Sequence, residues 1–203
     1  MSTIDRESTS PLLASLFADA LALPSGPEVR LPSPSAGRRV DRAFAFVDLS
    51  GFTALTNHEG DDRAVAELSV FRWALREIAG KYGVRVAKWL GDGAMLVGVQ
   101  PVELVEAVID LVMHIQEHQL SLPLRGGLAG GPTLLFEGDD YIGSAVNLAA
   151  RLCDEADDHQ LLATTEIASL LGATDSQATP MRIRGFDEVI DVVDLSPQFG
   201  PGR

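Results

Sequence analysis

Cysteine and lysine are scarce in this chain, and no long apolar run occurs. A single cysteine, Cys153, among 203 residues excludes an internal disulfide, and a reducing compartment is its simplest context. Of 16 basic residues only Lys81 and Lys88 are lysines, against 29 acids and a formal net charge of −13. Duplex nucleic acids are held mainly by lysine and arginine on phosphate, so this balance argues against a nucleic-acid partner. A nucleotide remains within reach of an acidic protein when bound cations supply the positive charge. The most apolar early stretch, Pro11 to Leu23, is broken by Asp19 and falls short of the about 20 residues that span a bilayer. The opening MSTIDRE lacks the basic region of a secretory signal. A cytoplasmic protein without membrane contact is the expectation.

What is there suffices for one core. The chain is 46% hydrophobic, enough for one catalytic-sized domain and short for two. Residues 1–38 read as an appendage. Ser10 is placed as an N-cap and Pro11 as the first helical residue, with Leu13, Leu16, Phe17, Ala20 and Leu21 on one face. Such a helix either caps the domain or restrains it as a regulatory element. The stretch after it, PSGPEVRLPSPSAGRR, carries four prolines and reads as a linker. Residues 39–203 then form the main domain.

That domain is organised around Ala43–Thr53, AFAFVDLSGFT, and its echo at Val84–Val99, VRVAKWLGDGAMLVGV. In each, an apolar run ends in an aspartate at a glycine turn. If the two strands lie side by side, Asp48 and Asp92 converge at one sheet edge, where like charges call for a cation between them. Asp92-Gly93 between apolar runs is equally a short hairpin signal. Asp48 has no such packing explanation, and Ser50-Gly51-Phe52-Thr53 reads as the glycine-permitted start of a short helix whose free amides face an anion.

The remaining elements follow from period and punctuation. Ala64, Leu68, Phe71, Leu75, Ile78 and Tyr82 recur at helical spacing after Asp61-Asp62, with Gly83 placed to end the helix. Val84–Lys88 and Ala94–Val99 form a hairpin, and Pro101 opens a helix with Val105, Val108, Ile109, Val112 and Ile115 inward. His114 and His118 lie four apart on that helix, as a solvated face or as two of a metal's ligands. Leu124–Gly130 reads as a strand, Pro132–Phe136 as a short hairpin arm closing near Gly138, and Gly143–Ala156 as a helix that sets Asn147 and Arg151 on one face. Leu161–Thr164 is a strand, Thr165–Leu171 a short helix and Met181–Leu195 a hairpin through Gly185. The expected class is an α/β sandwich: a ferredoxin-like βαββαβ core with added C-terminal strands.

FVDLSGFT, KWLGDG and DDYIGSAVNLAARL, in that order, resemble the signature of the class III nucleotide cyclases, specifically the adenylate cyclase catalytic domain. The resemblance covers roughly Arg39 to Leu195 as one domain. It implies two divalent cations, Mg²⁺ or Mn²⁺, on Asp48, Asp92 and the carbonyl of Leu49, with Gly51, Phe52 and Thr53 against the substrate. Lys88 and Asp140 fall where the family selects adenine. Asn147 falls where it orients the ribose, and Arg151 where it meets charge on the α-phosphate. A lysine with an aspartate also suits adenine by donor and acceptor pattern, which makes ATP the expected nucleotide. The resemblance further implies a head-to-tail homodimer that shares its active sites. A guanylate cyclase and a non-catalytic nucleotide-binding regulatory module remain the alternatives; a diguanylate cyclase would need a GGDEF-type turn that is absent.

Overall fold

Strand β1 (Arg38–Leu49) has a partner on each side and buries both faces. The structure, a computed structural model, describes residues 37–118, 120–172 and 178–196. The helix expected from Ser10 and the linker after it lie outside those residues. From β1 the chain runs through helices α1 (Phe52–Glu59) and α2 (Asp61–Lys81) into the hairpin β2 (Arg85–Leu90) and β3 (Gly93–Gly98). Helix α3 (Pro101–Glu117) leads to β4 (Leu124–Phe136), β5 (Asp140–Ile142) and α4 (Ser144–Glu155). Then come β6 (Leu161–Thr164), α5 (Thr165–Ser169), β7 (Thr179–Arg182) and β8 (Val189–Asp194). The sheet order is β2-β3-β1-β4-β6-β8-β7, with β5 folded back on β4. Its first half is the expected ferredoxin-like βαββαβ core, and the C-terminal strands extend it.

Alternation along β1 explains the layers. Ala43, Ala45, Val47 and Leu49 pack with Phe71 and Leu75 of α2 and Leu104 and Leu111 of α3 on one face. Phe44 points to the other face, among Ala145, Val146 and Ala149 of α4. Burial on both faces is why AFAFV reads as a continuous apolar run. Helix α4 approaches β4 closely at Gly127, where an added Cβ would lie 2.7 Å from the Leu152 carbonyl carbon and closer still to Cys153 N and Ala149 O. Only glycine admits the helix at that distance.

One element differs from expectation. Pro132–Phe136 is no separate arm but the far end of β4, which pairs with β1 without a break from Leu49↔Leu124 to Arg38↔Leu135. The long β1 ladder carries the strand past Pro132, which stands opposite Asp41. The turn falls at Glu137 and Gly138, both at positive φ, and returns β5 onto the end of β4, with Phe136 opposite Asp140. No helix among the described residues is long and apolar enough to cross a membrane.

Candidate active site

Asp48 and Asp92 are brought to one edge by antiparallel pairing of β1 with β3, in which Asp48 stands opposite Gly93. A Cβ at Gly93 would lie 2.9 Å from Asp48 Oδ1 and 2.8 Å from Val47 O, so the glycine after Asp92 is what lets the carboxylate sit there. Burial, and secondly the charge of Asp48, push the Asp92 carboxyl above its ordinary range. Both acids line an open cleft of about 590 Å³ with Leu49, Gly51, Phe52, Thr53 and Asp158. Gly51, at φ +82, caps α1, and no side chain caps that helix, which leaves its first amides facing the cleft.

Two carboxylates and a backbone carbonyl form an all-oxygen donor set, which suits a hard divalent cation such as Mg²⁺ or Mn²⁺. The burial of Asp92 is only partly offset by its backbone hydrogen bond and by Arg125, and a cation would relieve the rest, so the residues present fit such an ion. The sequence reading missed Arg125, which stands opposite Asp48 in the β1–β4 register. Its Nη2 and Nε donate to Asp48 Oδ2 at 2.9 and 3.2 Å, and that bond is the main cause raising the arginine's own affinity for its proton. In the protein alone, Arg125 neutralises the carboxylate a metal would need.

The other expected residues gather elsewhere. Lys88 Nζ donates to Asp140 Oδ1 at 2.8 Å, and the Tyr141 amide donates to the same oxygen at 2.9 Å. Lys88 foremost, and then that amide, hold the Asp140 carboxyl below its ordinary range. A bulge between Val86 and Lys88 shifts the β2–β3 register just before Lys88, and such a bulge re-aims the side chain that follows. Asn147 and Arg151, one turn apart on α4, line a second cleft of about 650 Å³ with Arg184, Gly185 and Phe186. Arg151 Nη1 donates to Asp154 Oδ2 at 2.8 Å. Arg184, from the segment between β7 and β8, is a further cation that the sequence reading did not single out.

His114 and His118 stack on each other, ring centroids 4.0 Å apart, and no cluster of three or more potential metal-ligating side chains occurs among the described residues. Cys153 is buried, and burial pushes its thiol up to about 12.

No family model matches the chain. Among curated sequences, an uncharacterized protein of Mycobacterium tuberculosis is 37% identical over 153 residues, covering 75% of this chain and 40% of that protein. A pH-sensitive adenylate cyclase of Mycobacterium tuberculosis is 29% identical over 195 residues, covering 87% of this chain and 48% of that enzyme. The chain thus spans less than half the length of these relatives. Among solved structures, the adenylyl cyclase CyaB from P. aeruginosa superimposes with a TM-score of 0.67 at 24% identity, over 77% of this chain and 94% of that one. The guanylyl cyclase Cya2 does so with a TM-score of 0.69 at 16% identity, over 78% and 93%. With three separated motifs in order, the ferredoxin-like core and the curated relatives in agreement, the chain contains a domain of the class III nucleotide cyclase family.

Proposed function

We propose that this domain is an adenylate cyclase, converting ATP to 3′,5′-cyclic AMP and pyrophosphate at sites shared between two copies of the chain. The observation that carries the reading is the Lys88–Asp140 pair, 2.8 Å apart. It sets an ammonium donor beside a carboxylate acceptor, the complement of adenine N1 and its 6-amino group. With Lys88 facing position 1 of the base and Asp140 position 6, guanine, a donor at N1 and an acceptor at O6, opposes both partners. Relatives that carry the name adenylate cyclase support the reading.

In the reaction the ribose 3′-hydroxyl gives up its proton to water as its oxygen bonds to the α-phosphorus, the bond from that phosphorus to the bridging oxygen breaks, and pyrophosphate leaves with that electron pair. Bound at Asp48, Asp92 and the Leu49 carbonyl, two divalent cations would supply Lewis acidity to the attacking hydroxyl and the phosphates. The chain's own residues position and neutralise. Asn147 orients the ribose, and Arg151 meets negative charge as it develops on the α-phosphate. The amides at Gly51, Phe52 and Thr53 face the phosphate chain. Lys88 and Asp140 select the base.

Asp48 and Asp92 line one cleft of the chain and Asn147 and Arg151 another. A head-to-tail homodimer would join the first cleft of each copy to the second cleft of its partner, giving two equivalent sites under two-fold symmetry. The primary test is product formation by purified protein with ATP or GTP and Mg²⁺ or Mn²⁺. Cyclic GMP as the main product would refute the base assignment, and no cyclic product would refute the enzyme. Subunit sharing is tested by mixing Asp48→Ala chains with Arg151→Ala chains. Each parent is expected inactive and the mixture active, because one composite site of the heterodimer is intact. No recovery despite demonstrated subunit exchange would place the whole site within one chain.

A further inference from the structure

The turn that carries Asp92 is held from outside the cleft. Arg72, on α2, donates from Nη2 to the carbonyl of Gly91 at 2.7 Å. Its guanidinium carbon also lies 5.0 Å from the centroid of the Trp89 ring. Arg76, one turn further on, stacks on the same ring at 4.9 Å but makes no hydrogen bond to the turn. Arg72 Nε is buried and has no partner among the described residues, so the guanidinium is fixed by the turn and the ring rather than by a carboxylate. An arginine is suited to this, because its planar fork donates while its face stacks, whereas a lysine does one or the other.

The turn itself is two residues long. Leu90 pairs with Gly93, leaving Gly91 and Asp92 between the strands, and Gly91 sits at φ +72 where side-chain-bearing residues are strained. Such a link has few contacts of its own to fix where Asp92 points. Arg72 reaches Asp92 through the backbone of the preceding residue, the Gly91 carbonyl that it holds at 2.7 Å.

We infer that Arg72 is a positioning residue for metal binding: by tying α2 to the Gly91 carbonyl, it holds Asp92 within reach of an ion shared with Asp48. The inference rests on the reading of Asp48 and Asp92 as metal ligands.

The test is Mn²⁺ binding to the full chain without nucleotide, followed by electron paramagnetic resonance of the free ion, in parallel with cyclase assays across a Mn²⁺ titration. Arg72→Met keeps an apolar stem against Trp89 and removes the donors. It is expected to weaken Mn²⁺ binding about tenfold or more, the usual scale for losing an outer partner of a ligand. The Mn²⁺ needed for half-maximal activity should rise in step, while KM for ATP at saturating Mn²⁺ moves less than about threefold. Arg76→Met removes a comparable stack and should leave both metal measurements at wild type. Arg72→Lys should fall between, and it decides the matter if Arg72→Met does not fold. Wild-type Mn²⁺ affinity in folded Arg72→Met or Arg72→Lys overturns the inference, as does an equal loss in Arg76→Met. Absence of Mn²⁺ binding by the wild-type chain overturns it together with the metal assignment. Arg72-dependent Mn²⁺ binding without cyclic product would instead leave the anchor standing and refute the proposed reaction.

Discussion

Gly127→Ala tests whether the position of α4 sets the geometry of the proposed nucleotide half of the site. The added Cβ would lie 2.7 Å from the Leu152 carbonyl carbon, with Cys153 N and Ala149 O nearer still, whereas ordinary contact begins near 3.4 Å. Three backbone atoms of one helix cannot yield by a rotamer change, so the helix itself must move away from β4, by about 1 Å. Overpacking of a tight core costs roughly 1–3 kcal/mol, and a backbone clash belongs at the upper end. About 3 kcal/mol corresponds to a Tm loss of roughly 6 °C or more in a protein of this size. Asn147 and Arg151 ride on the displaced helix. A misplacement of about 1 Å can cost on the order of 100-fold in rate, so kcat should fall by that scale while the Lys88–Asp140 pair, on β2 and β5, keeps base preference unchanged. Thermal unfolding and kcat/KM for ATP and GTP are the measurements. A variant with wild-type Tm and turnover would refute the claim that α4 is seated by this glycine.

Base choice is expected to move with the Lys88–Asp140 pair. Lys88→Glu should lower kcat/KM for ATP at least roughly tenfold, because an acceptor set against adenine N1 leaves polar groups unpaired once the bound base covers them, at about 1–3 kcal/mol. Lys88→Glu with Asp140→Cys should raise the GTP to ATP ratio beyond either single change, and an unchanged ratio would remove both residues from the base pocket. The Cys153 thiol, pushed up to about 12 by burial, should resist a thiol reagent at pH 8, where only about one in 10⁴ is thiolate. One equivalent should react after unfolding in guanidinium; rapid reaction of the native protein would contradict the packing of α4. Lys81 first, then Tyr82, hold the Asp110 carboxyl below its ordinary value of 3.8. A lowered carboxyl contributes stability above that value and loses it as pH falls through its folded pKa. Asp110→Asn should therefore lower Tm at pH 7, by a deficit that shrinks as pH drops below 3.8. A deficit that persisted in strong acid would show that the ion pair is not its source.

How much the sequence disclosed depended on how far apart the interacting residues lie. Asp48 and the turn at Asp92 were legible because an apolar run that ends in a carboxylate at a glycine is a local pattern. The helices were legible from period, and α2 ends at Lys81, close to the Gly83 stop. Arg125 was not, since its pairing with Asp48 is set by strand register across 77 positions, and an arginine at the start of an apolar strand carries no sign of its partner. The Lys88–Asp140 contact spans 52 positions and was reached only through resemblance to a family. Reading Pro132 as the start of a new element failed because proline in β4 is tolerated where β1 is long enough to carry the ladder past it. Arg184 and Arg72 were invisible for a further reason: each acts where two elements pack, and neither the turn at Gly185 nor the helical period discloses such a neighbour.

The pairing of both lysines has a practical side. Lys88 is bound to Asp140 and Lys81 to Asp110, on well-separated elements, and no other lysine exists in the chain. Beyond a terminal amine, an amine-reactive reagent therefore meets two side chains only, one at the proposed base pocket and one on the outer helical face. Peptide-resolved acylation makes the second an internal clock for reagent exposure, against which shielding of the first by different nucleotides is read directly. The same arginine-rich composition that leaves the surface silent to such reagents turns Lys88 into a native reporter of occupancy, with no label or substitution introduced.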